Sequence, residues 1–151
     1  RSGTPDVAGA AGMAAALQVA VDRLDRDTAA VNALRDRLLT ALAGLDGTVV
    51  NSRPDGLPGV VHVSFDRCEG DSLLMLLDAQ GIQCSTGSAC TAGVASASHV
   101  LLAMGMDRAA ARGSLRFSIA PDNTADDIDA ATGALAQVID RARAAGLTGV
   151  R

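Results

Sequence analysis

The chain has no lysine, no tryptophan and no tyrosine, and phenylalanine occurs only at Phe65 and Phe117. All 13 basic residues are arginine, so neither an imine-forming lysine nor a phosphate-loop lysine can originate in this chain. With so few aromatics, a core has to be assembled from Leu, Val, Ile, Ala and Met. No apolar run approaches the roughly 18 residues that span a bilayer, and the start shows no secretory pattern. The net charge of −4 argues against nucleic-acid binding, which calls for a basic face. Cysteine is sparse: Cys68, Cys84 and Cys90 form no C-x-x-C pair. No metal site is expected from that spacing. An odd count of thiols suggests reduced cysteines and a cytoplasmic setting. The first residue is Arg1 rather than Met, as expected of a processed or trimmed piece.

What is present suits one globular domain. Hydrophobic residues make up 48% of the 151 and charged residues 20%, enough to bury a core. Thr4 suits a helix N-cap, Pro5 the first helical position and Asp6 the positive end of the dipole. Helix is expected from Val7 to Leu42, with a break near Asp25–Asp27. Met13, Leu17, Ala20, Val21 and Leu24 form one stripe; Val31, Leu34, Leu38 and Leu42 form another.

A short strand is expected over Thr48–Asn51, then a Pro/Gly-rich connector. Gly59–Phe65 alternates, with Val61, Val63 and Phe65 facing one way and His62 and Ser64 the other. A helix over Asp71–Gln80 turns Leu73, Leu74 and Leu77 inward, and a brief strand follows at Ile82–Cys84. Ser98 can cap a helix over His99–Met104, and Asp107–Arg112 adds one turn. In the strand Ser114–Ile119, Leu115, Phe117 and Ile119 point to the core and Ser114, Arg116 and Ser118 away from it. Arg116 suits either a surface position or a carboxylate-binding fork. Thr124 and Asp127 form a capping box for the last helix, whose inner face carries Ile128, Ala131, Leu135, Val138, Ile139 and Ala142. The order predicts an α+β layer with helices on a small sheet.

The most informative stretch runs from Ser85 to Ser98. Every residue there except Cys90 and Val94 is Ser, Thr, Gly or Ala. Such side chains bury too little apolar area to offset the entropy of ordering, so a mobile loop is expected with Cys90 as its one reactive group. An ordinary thiol has a pKa of about 8.5, and no Arg or His adjoins Cys90 in sequence. Activation has to come from a helix N-terminus near Ser98 or from outside the chain. His62 is expected to be solvated, His99 to sit at a helix terminus, and Cys68 and Cys84 to be inert small hydrophobes.

Ser85-Thr86-Gly87-Ser88-Ala89-Cys90, followed by Ser98-His99-Val100-Leu101-Leu102, resembles the active-site loop of NifS/IscS-type cysteine desulfurases. Arg1-Ser2-Gly3-Thr4, Glu69-Gly70-Asp71-Ser72 and Leu115-Arg116-Phe117-Ser118 are similar to that family's other segments, in the same order. The resemblance implies the small C-terminal domain of a pyridoxal-phosphate (PLP) enzyme of fold type I. Residues 1–44 would be a helical link to an absent PLP-binding large domain, and 45–151 the small domain with its loop at 85–98. It implies that Cys90 takes sulfur from L-cysteine as a persulfide, releasing L-alanine, and that Arg116 holds the α-carboxylate. Thr4 would donate to the PLP phosphate across a homodimer interface. An iron–sulfur scaffold or a tRNA-thiolation enzyme would accept the sulfur. Ala97 stands where the family commonly has Pro, which predicts a looser loop end. Because the PLP lysine is not in this chain, the chain alone is expected to be inactive. A standalone persulfide carrier and a non-catalytic dimerisation module are the other classes considered.

Overall fold

The computed structural model describes residues 2–87 and 97–148. Helix α1 spans Val7–Asp22 and α2 spans Leu24–Ala43. The break falls at Arg23, two residues before the expected place, and the two axes meet at 68°. The cap also shifts: Asp6, not Thr4, caps α1, accepting the Gly9 N–H at 2.9 Å. A carboxylate at this position also faces the positive end of the helix dipole.

Strands β1 (Thr48–Val50), β2 (Val60–Phe65) and β3 (Ser114–Ser118) form an antiparallel sheet in the order β1-β2-β3. Alternation along β2 and β3 sends Val61, Val63, Phe65, Leu115 and Phe117 to one face, all buried. Helices α2, α3 (Gly70–Asp78) and α6 (Ala125–Thr148) close over that face. They contribute Val31, Leu38, Leu42, Leu73, Leu77, Leu135, Val138 and Ile139. Each fully buried side chain of this size stabilises the fold by about 1.5–3 kcal/mol, so a core almost free of aromatics is sufficient. Of the inward residues expected on α3 and α6, Leu74 and Ala131 are only half-buried.

The α+β expectation holds, with one element fewer. Ile82–Cys84 is not a strand. A single bridge forms one residue later, where Ser85 N–H donates to Arg116 O at 3.1 Å and Arg116 N–H to Ser85 O at 2.6 Å. The chain then turns away at Gly87, φ +78°, a left-handed conformation in which glycine carries no Cβ penalty, and the ladder cannot propagate. At the start of α6, Thr124 N–H reaches Asp127 Oδ2 at 2.8 Å and Asp127 N–H returns to Thr124 Oγ1 at 3.2 Å. This is the expected reciprocal box.

Two arginines fasten loops to this frame. Buried Arg35 donates to the carbonyls of Arg53 (2.7 Å) and Pro54 (3.1 Å), holding the Pro/Gly connector against α2. Arg143 of α6 donates to Asp46 O at 2.7 Å and Asp66 O at 3.1 Å. In contrast to α2, no residue of α1 is buried. No single helix among the described residues is long and apolar enough to cross a membrane. The bent pair α1–α2 reaches that length and composition only together, and α2 is part of the core.

Candidate active site

The second face of the sheet is polar. His62 of β2 and Arg116 of β3 are directly opposed across the ladder and lie on the face away from Val61 and Phe117. Ser64 and Ser114 share that face, where α5 (Arg108–Arg112) packs on β2 and α4 (His99–Ala103) packs on α5. Ser114 is buried there, with its hydroxyl donating to Ala111 O at 2.9 Å. Arg116 is exposed, and among the described residues its guanidinium has no carboxylate partner.

One end of the Cys90 loop is fixed to the free edge of β3, and the other packs beside α4 and α5. One root is bolted to Arg116 by the Ser85 bridge, and Gly87 N–H donates to Ser85 Oγ at 3.1 Å. At the other root Ala97 is buried with Leu101 and Ala111. Ser98 occupies the N-cap position of α4 without a side-chain capping bond. Cys90 itself lies outside the described residues, as does the loop from 88 to 96.

His62 is not the solvated strand residue expected. It is half-buried, with Asn51 Nδ2 at 2.9 Å from its Nδ1, and Asn51 Nδ2 also donates to Ser64 Oγ at 2.8 Å. Burial, and then the neighbouring Arg116 charge, hold its pKa below the ordinary imidazole value. Sequence alone missed this grouping because Asn51 and His62 are 11 residues apart and meet only through the pairing of β1 with β2. Its one legible signal was that His62 and Arg116 each occupy the outward position of an alternating strand.

The remaining thiols are poor nucleophiles. Burial pushes the half-buried Cys84 up to about 11, with Asp78 adding to the shift. Buried Cys68 is also raised by desolvation, partly offset by Arg143. Both stay protonated near neutrality and are inert as thiolates. No three His, Cys, Asp or Glu side chains gather into a metal-holding group among the described residues. A groove of about 690 Å³ between β1, α5 and Arg143 is lined by Asn51 and Ser64 but not by Arg116 or His62.

A family model described as Aminotransferase class-V matches residues 1–131, and the chain belongs to that family. An IscS-like cysteine desulfurase of Mycobacterium tuberculosis is 56% identical over 150 residues, covering 97% of this chain and 38% of that protein. The cysteine desulfurase IscS of Methanosarcina thermophila is 37% identical over 144 residues, covering 95% and 36% respectively. A solved NifS-like protein superposes with a TM-score of 0.80 at 31% identity, over 93% of this chain and 35% of that one. The chain thus spans little more than a third of the length of these relatives.

The family is PLP-dependent, and among the described residues Thr4 offers a hydroxyl of the kind that suits its phosphate. Thr4 is exposed, and its hydroxyl is released from capping because Asp6 takes that role. A free hydroxyl on an exposed segment suits a phosphate oxygen. Covalent anchorage is excluded here, because the chain contains no lysine.

Proposed function

We propose that this chain is the C-terminal segment of a cysteine desulfurase whose sulfur-accepting nucleophile is Cys90. L-Cysteine is held by its α-carboxylate on Arg116, a fork presented by a rigid strand. The Cys90 thiolate attacks the substrate sulfur, and a sulfur–sulfur bond forms as the Cβ–S bond breaks. The electron pair of that bond stays with carbon, which takes a proton and leaves as L-alanine. PLP, when bound to the complete protein, supplies the electron sink for this cleavage, with Thr4 donating to its phosphate from the neighbouring subunit of a homodimer. Residues 1–44 link to the PLP-binding large domain, and 45–151 form the small domain. The persulfide on Cys90 passes to a cytoplasmic acceptor serving iron–sulfur cluster assembly or tRNA thiolation.

One observation carries the reading: the root of the Cys90 loop is hydrogen-bonded to the backbone of Arg116 itself. The thiol's tether and the carboxylate's anchor therefore share one fixed point. The 56% identity to an IscS-like cysteine desulfurase supports it over nearly the whole chain. In the complete protein, Cys90→Ser abolishes alanine formation from L-cysteine while PLP stays bound, and undiminished alanine would refute the assignment. The chain alone turns over no cysteine. The bare surface of α1 is what a dimerisation module would also show; an inert Cys90→Ser would favour that reading.

A further inference from the structure

We propose that His62 is a second substrate-binding donor, aiming its Nε2–H beside the Arg116 guanidinium at the carboxylate of L-cysteine. The inference rests on the desulfurase reading above and adds a residue to it. Three observations on this chain lead there.

The first is placement. Directly opposed residues on antiparallel strands have Cβ atoms about 5 Å apart, and His62 and Arg116 are such a pair. One carboxylate can meet the tips of both. Its two oxygens offer about four acceptor sites, of which an arginine fork fills two.

The second is the tautomer. Ser64 donates its only hydroxyl proton to Met106 Sδ at 3.7 Å, so its oxygen accepts from Asn51 Nδ2 at 2.8 Å. That orients the Asn51 amide with its NH2 toward His62 Nδ1. An NH2 group can only donate, so Nδ1 is the acceptor and the ring proton sits on Nε2. The chain Met106–Ser64–Asn51–His62 therefore ends in a donor of fixed direction.

The third is the missing acceptor. Nε2 has no hydrogen-bond partner among the described residues, nor has the Arg116 side chain. Gly87 at the loop root adjoins the Nε2–Cδ2 edge of the ring: a Cβ there would sit 3.4 Å from Nε2 and 3.7 Å from Cδ2, ordinary contact distances. Two donors, one cationic and one neutral, stand side by side without an acceptor among the described residues. The neutrality is apt: a second cation beside Arg116 would repel it, whereas a neutral N–H adds a bond to an anion at no such cost.

The test uses the complete, PLP-loaded protein in a Cys90→Ser background, where capture is separated from sulfur transfer. Titration with L-cysteine, followed by the cofactor's absorbance, gives a Kd. His62→Ala should raise it roughly tenfold, the scale of one hydrogen bond to a charged group. His62→Gln, which returns an amide N–H near the Nε2 position, should recover all but about threefold of that loss. An unchanged Kd in His62→Ala overturns the inference. So does a Gln variant as weak as the Ala variant at wild-type Tm, because that marks a packing role. If His62→Ala does not fold, His62→Gln against His62→Asn makes the same contrast, since the Asn amide ends near Nδ1. Alanine formed by the Cys90→Ser protein would instead sink the desulfurase reading, so the two failures are distinguishable.

Discussion

Helices α1 and α2 adjoin in sequence, meet at Arg23, and have opposite fates. Of its 16 residues α1 carries one charge, Asp22, yet it buries nothing: Met13 is 76% exposed and Leu17 62%. The more charged α2 buries Val31, Leu38 and Leu42, and even the guanidinium-bearing Arg35. Composition therefore does not decide burial within this chain. The reach of partners does. The stripe of α2 faces the sheet and α6, where Arg37 also pairs with Asp129, while the 68° bend carries α1 away from both. A helix apolar on nearly all sides is ordinarily a buried one, and this chain spans only 38% of its Mycobacterium tuberculosis relative.

Breaking that contrast is straightforward. Leu38→Ala should cost about 2–5 kcal/mol of the chain's stability in urea unfolding, since it opens a cavity under the sheet. Leu17→Ala should change it by less than about 0.5 kcal/mol. Equal losses would mean that α1 is packed in solution. Helix starts sharpen the same comparison. Thr124→Ala removes a reciprocal cap and should lower stability by about 1 kcal/mol. Ser98→Ala, at a cap position with no side-chain bond, should leave the melting temperature unchanged.

The smallest effect is a pH dependence. The folded-state pKa of His62 lies below the ordinary 6.5, so the unfolded chain binds the extra proton. The stabilisation is complete above about pH 6.5 and is lost as pH falls through the folded value. Asp55, Asp127 and Asp129 are lowered from 3.8 by their hydrogen bonds, so their contribution is lost only in more acid solution. His62→Gln should flatten the fall of Tm in the upper window; an unaltered slope would show that His62 is not the group responsible.

These contrasts also explain what was legible. Periodicity located β2, β3 and α6 because the apolar residues of each lie on one face, even though Ser64 and Ser114 are buried on the other side of the sheet. The capping box at Thr124 was legible because all its partners lie within three residues. Thr4 and Asp6 competed for one cap, and the carboxylate took it, an outcome that composition alone leaves open. Ile82–Cys84 had strand-like residues but no second neighbour on β3's far edge to extend a ladder beyond Ser85. The His62–Asn51–Ser64 chain depends on the pairing of β1 with β2, so no local pattern announced it. Arg116 stood out from its place on an alternating strand and Thr4 as a cofactor ligand only through motif resemblance; both are exposed.

The most direct test is to incubate the complete enzyme with L-cysteine and map added sulfur by mass spectrometry of its peptides. One extra sulfur atom is expected on the Cys90 peptide, with Cys68 and Cys84 unmodified. Sulfur on Cys84 or Cys68 instead, or alanine released with no sulfur on Cys90 at any time, would contradict it.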